Sequence, residues 1–233
     1  NASKTMQKFK ILIACEETQT VCKALRERGF EAYSRDLQEC SGGHPEWHIQ
    51  GDAIIEAYYG KYDLMIAHPP CERLTCAANK YYLPIYSERF PNIHIEREHS
   101  IVFFKKLALA PIKHKAIENP IGIMSRRFKK PSQIIQPFHF GHTERKSTCL
   151  WLTNLPKLRH TNIVKPEIIV HKSGKTDSRL HFETLGLPKE ERRKIRSKTF
   201  QGIADAMAQQ WGDFLLSGKL IPQQLEFFAT NLF

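Results

Sequence analysis

Cys71 follows Pro69 and Pro70. Two successive prolines fix φ and remove two backbone donors, so they end a strand and present the next side chain in a defined direction. As a thiolate Cys71 is a nucleophile, and a neighbouring cation would favour its ionisation; Arg73, Lys80 and Arg145 are the candidates. Glu118-Asn119-Pro120 is a second strand-ending turn. A partly desolvated carboxyl there is expected to stay protonated and to donate a hydrogen bond or a proton to a heteroaromatic ring nitrogen. Further polar residues end the other strands, in Cys15-Glu16-Glu17-Thr18, at Asp36 and in Gly51-Asp52. Carboxylates so placed accept hydrogen bonds from ribose hydroxyls or an exocyclic amine. No metal site is expected, because His44 and His48, and His139 and His142, lack cysteines at zinc-ligand spacing.

The elements that must hold these residues read as strands alternating with helices. Apolar, β-branched runs at Phe9 to Cys15, Phe30 to Arg35, Tyr62 to Ala67, Lys115 to Ile117 and Thr148 to Leu152 predict strands. Helical patterns follow at Val21, Ala24 and Leu25, stopped by Gly29, and around Glu96 to Leu109. This alternation implies βαβ units and a doubly wound, Rossmann-like, mainly parallel sheet with helices on both faces. Ligands of such sheets gather outside the carboxyl ends of the strands, where all the polar residues above lie. Near the end of the chain Ile203, Ala206, Met207, Gln210, Trp211, Phe214 and Leu215 form the apolar stripe of a core-packed helix. The expected organisation is an α/β core over residues 1–152, a short basic segment over 153–198, and a helix packing back on the core over 199–233.

At 233 residues, 41% hydrophobic and 25% charged, the chain has the balance of a globular protein with a real core. Its longest apolar stretches, Ile11 to Cys15 and Leu107 to Ile112, fall far short of the roughly 18 residues a membrane span needs. With six irregularly spaced cysteines and no secretory segment, a reduced cytoplasmic setting is expected. The net charge is +11, favouring a polyanionic partner. Much of it lies in Thr153 to Lys198, with 12 basic and 5 acidic residues, including Arg192, Arg193 and Lys194. These are candidates for phosphate contact.

Taken together the motifs resemble the cytosine-C5 DNA methyltransferases, and within them the compact phage and prophage forms. His68-Pro69-Pro70-Cys71 is similar to the family's proline-cysteine nucleophile motif, Glu118-Asn119-Pro120 to its glutamate-asparagine motif, and Gly51-Asp52-Ala53 to its adenine-contacting loop. Gln136 to Lys146 sits where the family has its glutamine-arginine motif, and Thr199 to Ala204 where its last motif returns to the cofactor. The order is the family's across residues 10–216. The first motif departs from it, since Ala14 to Thr20 carries no glycine.

The resemblance implies the S-adenosylmethionine-dependent methyltransferase fold and methyl transfer to carbon 5 of cytosine in DNA. It implies that Cys71 adds to carbon 6, that Glu118 protonates ring nitrogen 3, that Asn119 holds the exocyclic amine, and that Arg145 or Lys146 holds the flipped base or its phosphate. Cys15, Glu16, Glu17, Thr18, Asp36, Asp52, Pro69 and Gln201 are the implied cofactor contacts and Lys146 an implied nucleic-acid contact, beside Arg192, Arg193 and Lys194, which the charge of the basic segment nominates. Two other readings stand beside it. One is an amino-methyltransferase, whose proline pair precedes a base-stacking aromatic residue where Cys71 stands; the other is a catalytically degenerate nucleic-acid-binding member of the fold.

Overall fold

The computed structural model describes residues 9–174 and 176–217. Seven strands form one sheet: β1 (Lys10–Ala14), β2 (Glu31–Asp36), β3 (His48–Gln50), β4 (Leu64–Ala67), β5 (His114–Pro120), β6 (Gln133–Ile135) and β7 (Thr148–Thr153). Their order is β3-β2-β1-β4-β5-β7-β6. All run parallel except β7, which pairs antiparallel with both neighbours, Glu118 lying opposite Leu150 and Ile135 opposite Thr148. The expected doubly wound, mainly parallel α/β class is the one observed.

A parallel sheet is buried on both faces, so its central strands carry unbroken apolar runs. In β1, Ile11 and Ile13 join one core cluster and Leu12 and Ala14 the other, the period-2 alternation of a strand. On the first face lie α1 (Thr20–Glu27) and α7 (Gln201–Ser217), where Val21 and Leu25 meet Ile203, Met207 and Trp211. Trp211 also donates from its indole to the Pro156 carbonyl at 2.9 Å. On the second face lie α2 (Ala53–Tyr59) and α3 (Ile93–Leu109), with Ala57, Phe104 and Leu107 packed on Met65 and Trp151. The one-turn α4 (Met124–Arg127) follows β5.

After β7 the chain first runs back over the core. Leu158 is buried with the α1–α7 cluster, and Gln210 of α7 both accepts from the Arg159 N–H and donates to its carbonyl. A small unit then follows, built from the hairpin β8 (Ile168–Val170) and β9 (Thr176–Ser178) and from α5 (Arg179–Glu183) and α6 (Lys189–Ser197). The basic sequence segment is therefore two things: a stretch woven into the core and an appended unit. Among the described residues no helix is long and apolar enough to cross a membrane.

Candidate active site

Two loops are sewn together at the carboxyl ends of β4 and β5. Immediately after Cys71 the chain turns, the Leu74 and Thr75 N–H groups donating to the Cys71 carbonyl at 2.9 and 3.0 Å. Cys76 N–H then donates to the Ile121 carbonyl and Ile123 N–H to the Leu74 carbonyl, tying this turn to the one after β5. The approach needs Gly122, because a Cβ there would lie 2.0 Å from the Leu74 carbonyl oxygen. Cys71 and Glu118 consequently share one site, Cys71 half-buried at its rim.

Asn119 completes the joint. It is 1% exposed, and its Nδ2 donates to the Pro69 carbonyl at 2.8 Å, while its Oδ1 is buried with no hydrogen bond. The amide thus fixes the strand end that leads to Cys71 and keeps one acceptor for an incoming donor. Pro69 itself is buried, with its carbonyl committed to Asn119.

The charges around Cys71 are unlike those anticipated. Burial pushes the Cys71 thiol up, the Glu118 charge raises it further, and Lys146 partly opposes them. The cations suggested by sequence are engaged elsewhere: Arg73 pairs with Glu96 at 2.6 Å and Lys80 lies over the Tyr81 ring. Glu118 also differs from the expected protonated acid. Burial alone would push its carboxyl up, but a 3.0 Å hydrogen bond to His68 Nδ1 and the charges of His68 and Lys146 hold it below the usual carboxylate range. For His68 burial pulls the other way, and Glu118, with help from Glu16, holds the imidazole above its ordinary value. The part played by His68 is what sequence reasoning misses, since the residue enters there only within the His68-Pro69-Pro70-Cys71 motif, with no role of its own; a histidine directly before the proline pair that presents a cysteine is the signal that could have found it.

Arg145 and Lys146, either of which the resemblance implies at the base or its phosphate, lie in different surroundings. They lie in the irregular segment that leads into β7. Lys146 is the one charged toward Cys71, Glu118 and His68, and its Nζ donates to the Arg196 carbonyl at 2.8 Å at the end of α6. Arg145 instead lines an open cleft of about 300 Å³ with Ser147, Thr176, Asp177 and His181. On α6, Arg193 pairs with Glu190 at 2.9 Å, Arg192 reaches toward the Leu185 carbonyl, and Lys194 is exposed. All three lie on a helix with no buried residue.

At the ends of β1, β2 and β3 a second group of predicted residues comes together. The Cys15 thiol is pushed up by burial and by the charges of Asp36 and Asp52, which face it. Asp36 Oδ1 accepts from the Gln38 N–H and Asp52 Oδ1 caps α2 through the Ile54 N–H. Each keeps an Oδ2 for a ligand hydroxyl or amine, a set of acceptors that fits the ribose and adenine of a nucleoside cofactor. Other expected contacts are spent structurally. Glu16 is 4% exposed and its two oxygens accept from the Val21 and Cys22 N–H groups at 2.7 and 3.1 Å, capping α1. Glu17 accepts from the Ser41 hydroxyl, Thr18 from that of Thr20, and Gln201 is exposed with its amide on Asp205.

No protein-family model matches the chain, and no curated protein does. Solved structures do match. One is the Dnmt2 methyltransferase of S. pombe, at TM-score 0.39 and 14% identity over 65% of this chain and 51% of that one. Another, from E. coli, is assigned as a DNA modification methyltransferase encoded within a prophage, at TM-score 0.39 and 13% identity over 78% of this chain and 56% of that one. The chain thus spans little more than half the length of either. Both likenesses are distant, and a reaction for this chain has to rest on its own residues.

Proposed function

We propose that the chain is an S-adenosylmethionine-dependent methyltransferase acting on carbon 5 of cytosine in DNA, in the compact form resembling phage and prophage enzymes. The observation that carries this reading is the convergence of a half-buried thiol, a buried carboxyl and a buried amide with a free acceptor at two adjacent strand ends. Each has a task that the chemistry of cytosine sets. Carbon 5 is a weak nucleophile until the Cys71 sulfur bonds to carbon 6 and makes an enamine. Protonation of ring nitrogen 3 from Glu118 relieves the developing charge. The free Oδ1 of Asn119 suits the exocyclic amine, which only a hydrogen-bond acceptor can read. S-adenosylmethionine, when bound, supplies a methyl group on a sulfonium, with Asp36 and Asp52 as acceptors for its ribose and adenine. Loss of the carbon-5 proton and elimination of Cys71 then regenerate the thiol.

In duplex DNA the base must leave the stack to reach this site. Lys146 stands beside the site for the extruded nucleotide, and Arg145 lines the adjoining cleft. The small basic unit over 168–197 suits phosphate contact better than extensive base readout. The test is nucleoside mass spectrometry of DNA from a methylation-deficient bacterial host expressing the chain, with Cys71→Ala as control. 5-Methylcytosine that depends on Cys71 is the expected result. N6-methyladenine or N4-methylcytosine would replace the reading with amine methylation, and the absence of any modified base would remove DNA as the substrate of the chain alone.

A further inference from the structure

Cys71, Glu118 and Asn119 have tasks in methyl transfer and His68 has none, although it is the best-buried titratable partner of Glu118. Its Nδ1 lies 3.0 Å from Glu118 Oε2, and the two side chains are only 11% and 18% exposed. Three titratable groups face it: Glu118 from β5, Glu16 from the loop after β1, and Lys146 from the segment before β7. Its backbone N–H donates to the Ala14 carbonyl at 2.9 Å, so the ring is carried on the sheet and not on a mobile loop. A carboxylate this buried is costly unless paired, and an imidazolium beside it answers that cost. Each partner favours the charged form of the other, yet ring nitrogen 3 of cytosine needs a proton that a bare carboxylate does not hold.

We propose that His68 is a positioning residue that stores, at Nδ1, the proton Glu118 delivers to ring nitrogen 3 of the target base; this rests on the reading of the site as a cytosine methyltransferase. In the resting pair His68 is imidazolium and Glu118 carboxylate. Delivery breaks the Nδ1–H bond of His68, passes one proton through the Glu118 carboxyl and forms the bond from hydrogen to ring nitrogen 3, while Cys71, its S–H proton released to solvent, bonds through sulfur to carbon 6. The pair is left as neutral imidazole and carboxylate. When Cys71 is eliminated, ring nitrogen 3 returns the proton by the same route, so none is consumed. During the transfer Glu118 is neutral, which removes the negative charge that opposes the Cys71 thiolate.

Two measurements test this. Nitrogen-15 spectroscopy of the imidazoles in the full chain, with the His68 signals identified by their loss in His68→Asn, gives the protonation state directly. The expected result is a His68 midpoint above that of a free imidazole, moving down in Glu118→Gln; a midpoint at or below the free value, or one indifferent to Glu118, overturns the proposal. The second is the pH profile of methyl transfer to duplex DNA. General acids contribute about 10²- to 10⁴-fold, so His68→Asn is expected to lose at least about 10-fold at pH 8 and to recover most of it near pH 6, where Glu118 takes its proton from solvent. Glu118→Gln is expected to lose activity at both pH values. A loss in His68→Asn that is equal at every pH would mean a structural role and overturn this proposal alone. No transfer by the unmodified chain would overturn the site reading and this proposal together.

Discussion

Replacing Asn119 by alanine tests whether the amide holds the strand end that carries Cys71. The side chain is 1% exposed and makes one hydrogen bond, Nδ2 to the Pro69 carbonyl at 2.8 Å. Its removal leaves the Pro69 carbonyl without that donor. A buried acceptor stranded in this way costs about 1–3 kcal/mol. At about 2 kcal/mol, and about 2–4 °C for each kcal/mol in a domain of this size, Tm should fall by roughly 4–8 °C. Asn119→Asp should fall further, because a carboxylate cannot donate to Pro69 and adds a buried negative charge beside Glu118. The local consequence is read by alkylation, resolved residue by residue with mass spectrometry because Cys76 is also exposed. Cys71 should react faster in Asn119→Ala, while Cys22 and Cys149, buried in the core, should not change. An unaltered Tm together with an unaltered Cys71 rate would refute the idea that this bond positions the thiol.

Cys71 alkylation followed against pH should show a thiol that ionises above the free range, and Glu118→Gln should move that ionisation to lower pH because it deletes a raising charge; movement upward would contradict the assigned cause. Trp211→Ala should cost about 3–5 kcal/mol in denaturant unfolding, since the ring is fully buried between α7 and α1 and also loses its bond to Pro156. Neutralising Arg192, Arg193 and Lys194 together should weaken DNA binding and flatten its dependence on the logarithm of salt by about 0.9 for each phosphate that the variant no longer neutralises. Unchanged binding at every salt concentration would make α6 an ordinary solvated helix.

What could be read in advance follows from where the periodicity comes from. β1, β4 and the centre of β5 are buried on both faces and announce themselves as apolar runs, and α7 shows its stripe because one face meets α1. β3, β6, β8 and β9 are three residues each, too short for a period, and exist because neighbouring strands supply their hydrogen bonds. α2 hides because Ile55 and Tyr59 face solvent while Ala53 and Ala57 face the core, which inverts the usual pattern. In the site, Cys71, Glu118 and Asn119 are legible as residues framed by proline at strand ends. Their charge states are not. These depend on His68 and Lys146, and no local pattern tells which of Arg145 and Lys146 the irregular segment before β7 turns toward the site.

The first loop shows how a chain reaches a glycine's conformation without glycine. Cys15 and Gln19 have φ of 62° and 56°, in the left-handed region that costs a residue with a Cβ about 1 kcal/mol or more. Such strain persists only where the surroundings overdetermine it. Cys15 N–H donates to the Arg35 carbonyl at 2.7 Å, which fixes the exit from β1 against the end of β2. Gln19 is fully buried, and its amide donates to the Ser34 hydroxyl and the His44 carbonyl while accepting from the His44 N–H. Between them Glu16 takes the two N–H groups that open α1. Each of these bonds is worth about 0.5–1.5 kcal/mol or more net, so together they exceed the strain of two residues. The same bonds consume the helix N-terminus, which glycine-bearing loops keep free for a ligand's anionic group. On the proposed reading, a nucleoside ligand of this loop would find its acceptors at Asp36 and Asp52, and its negatively charged groups would have to be met by cations from outside the loop.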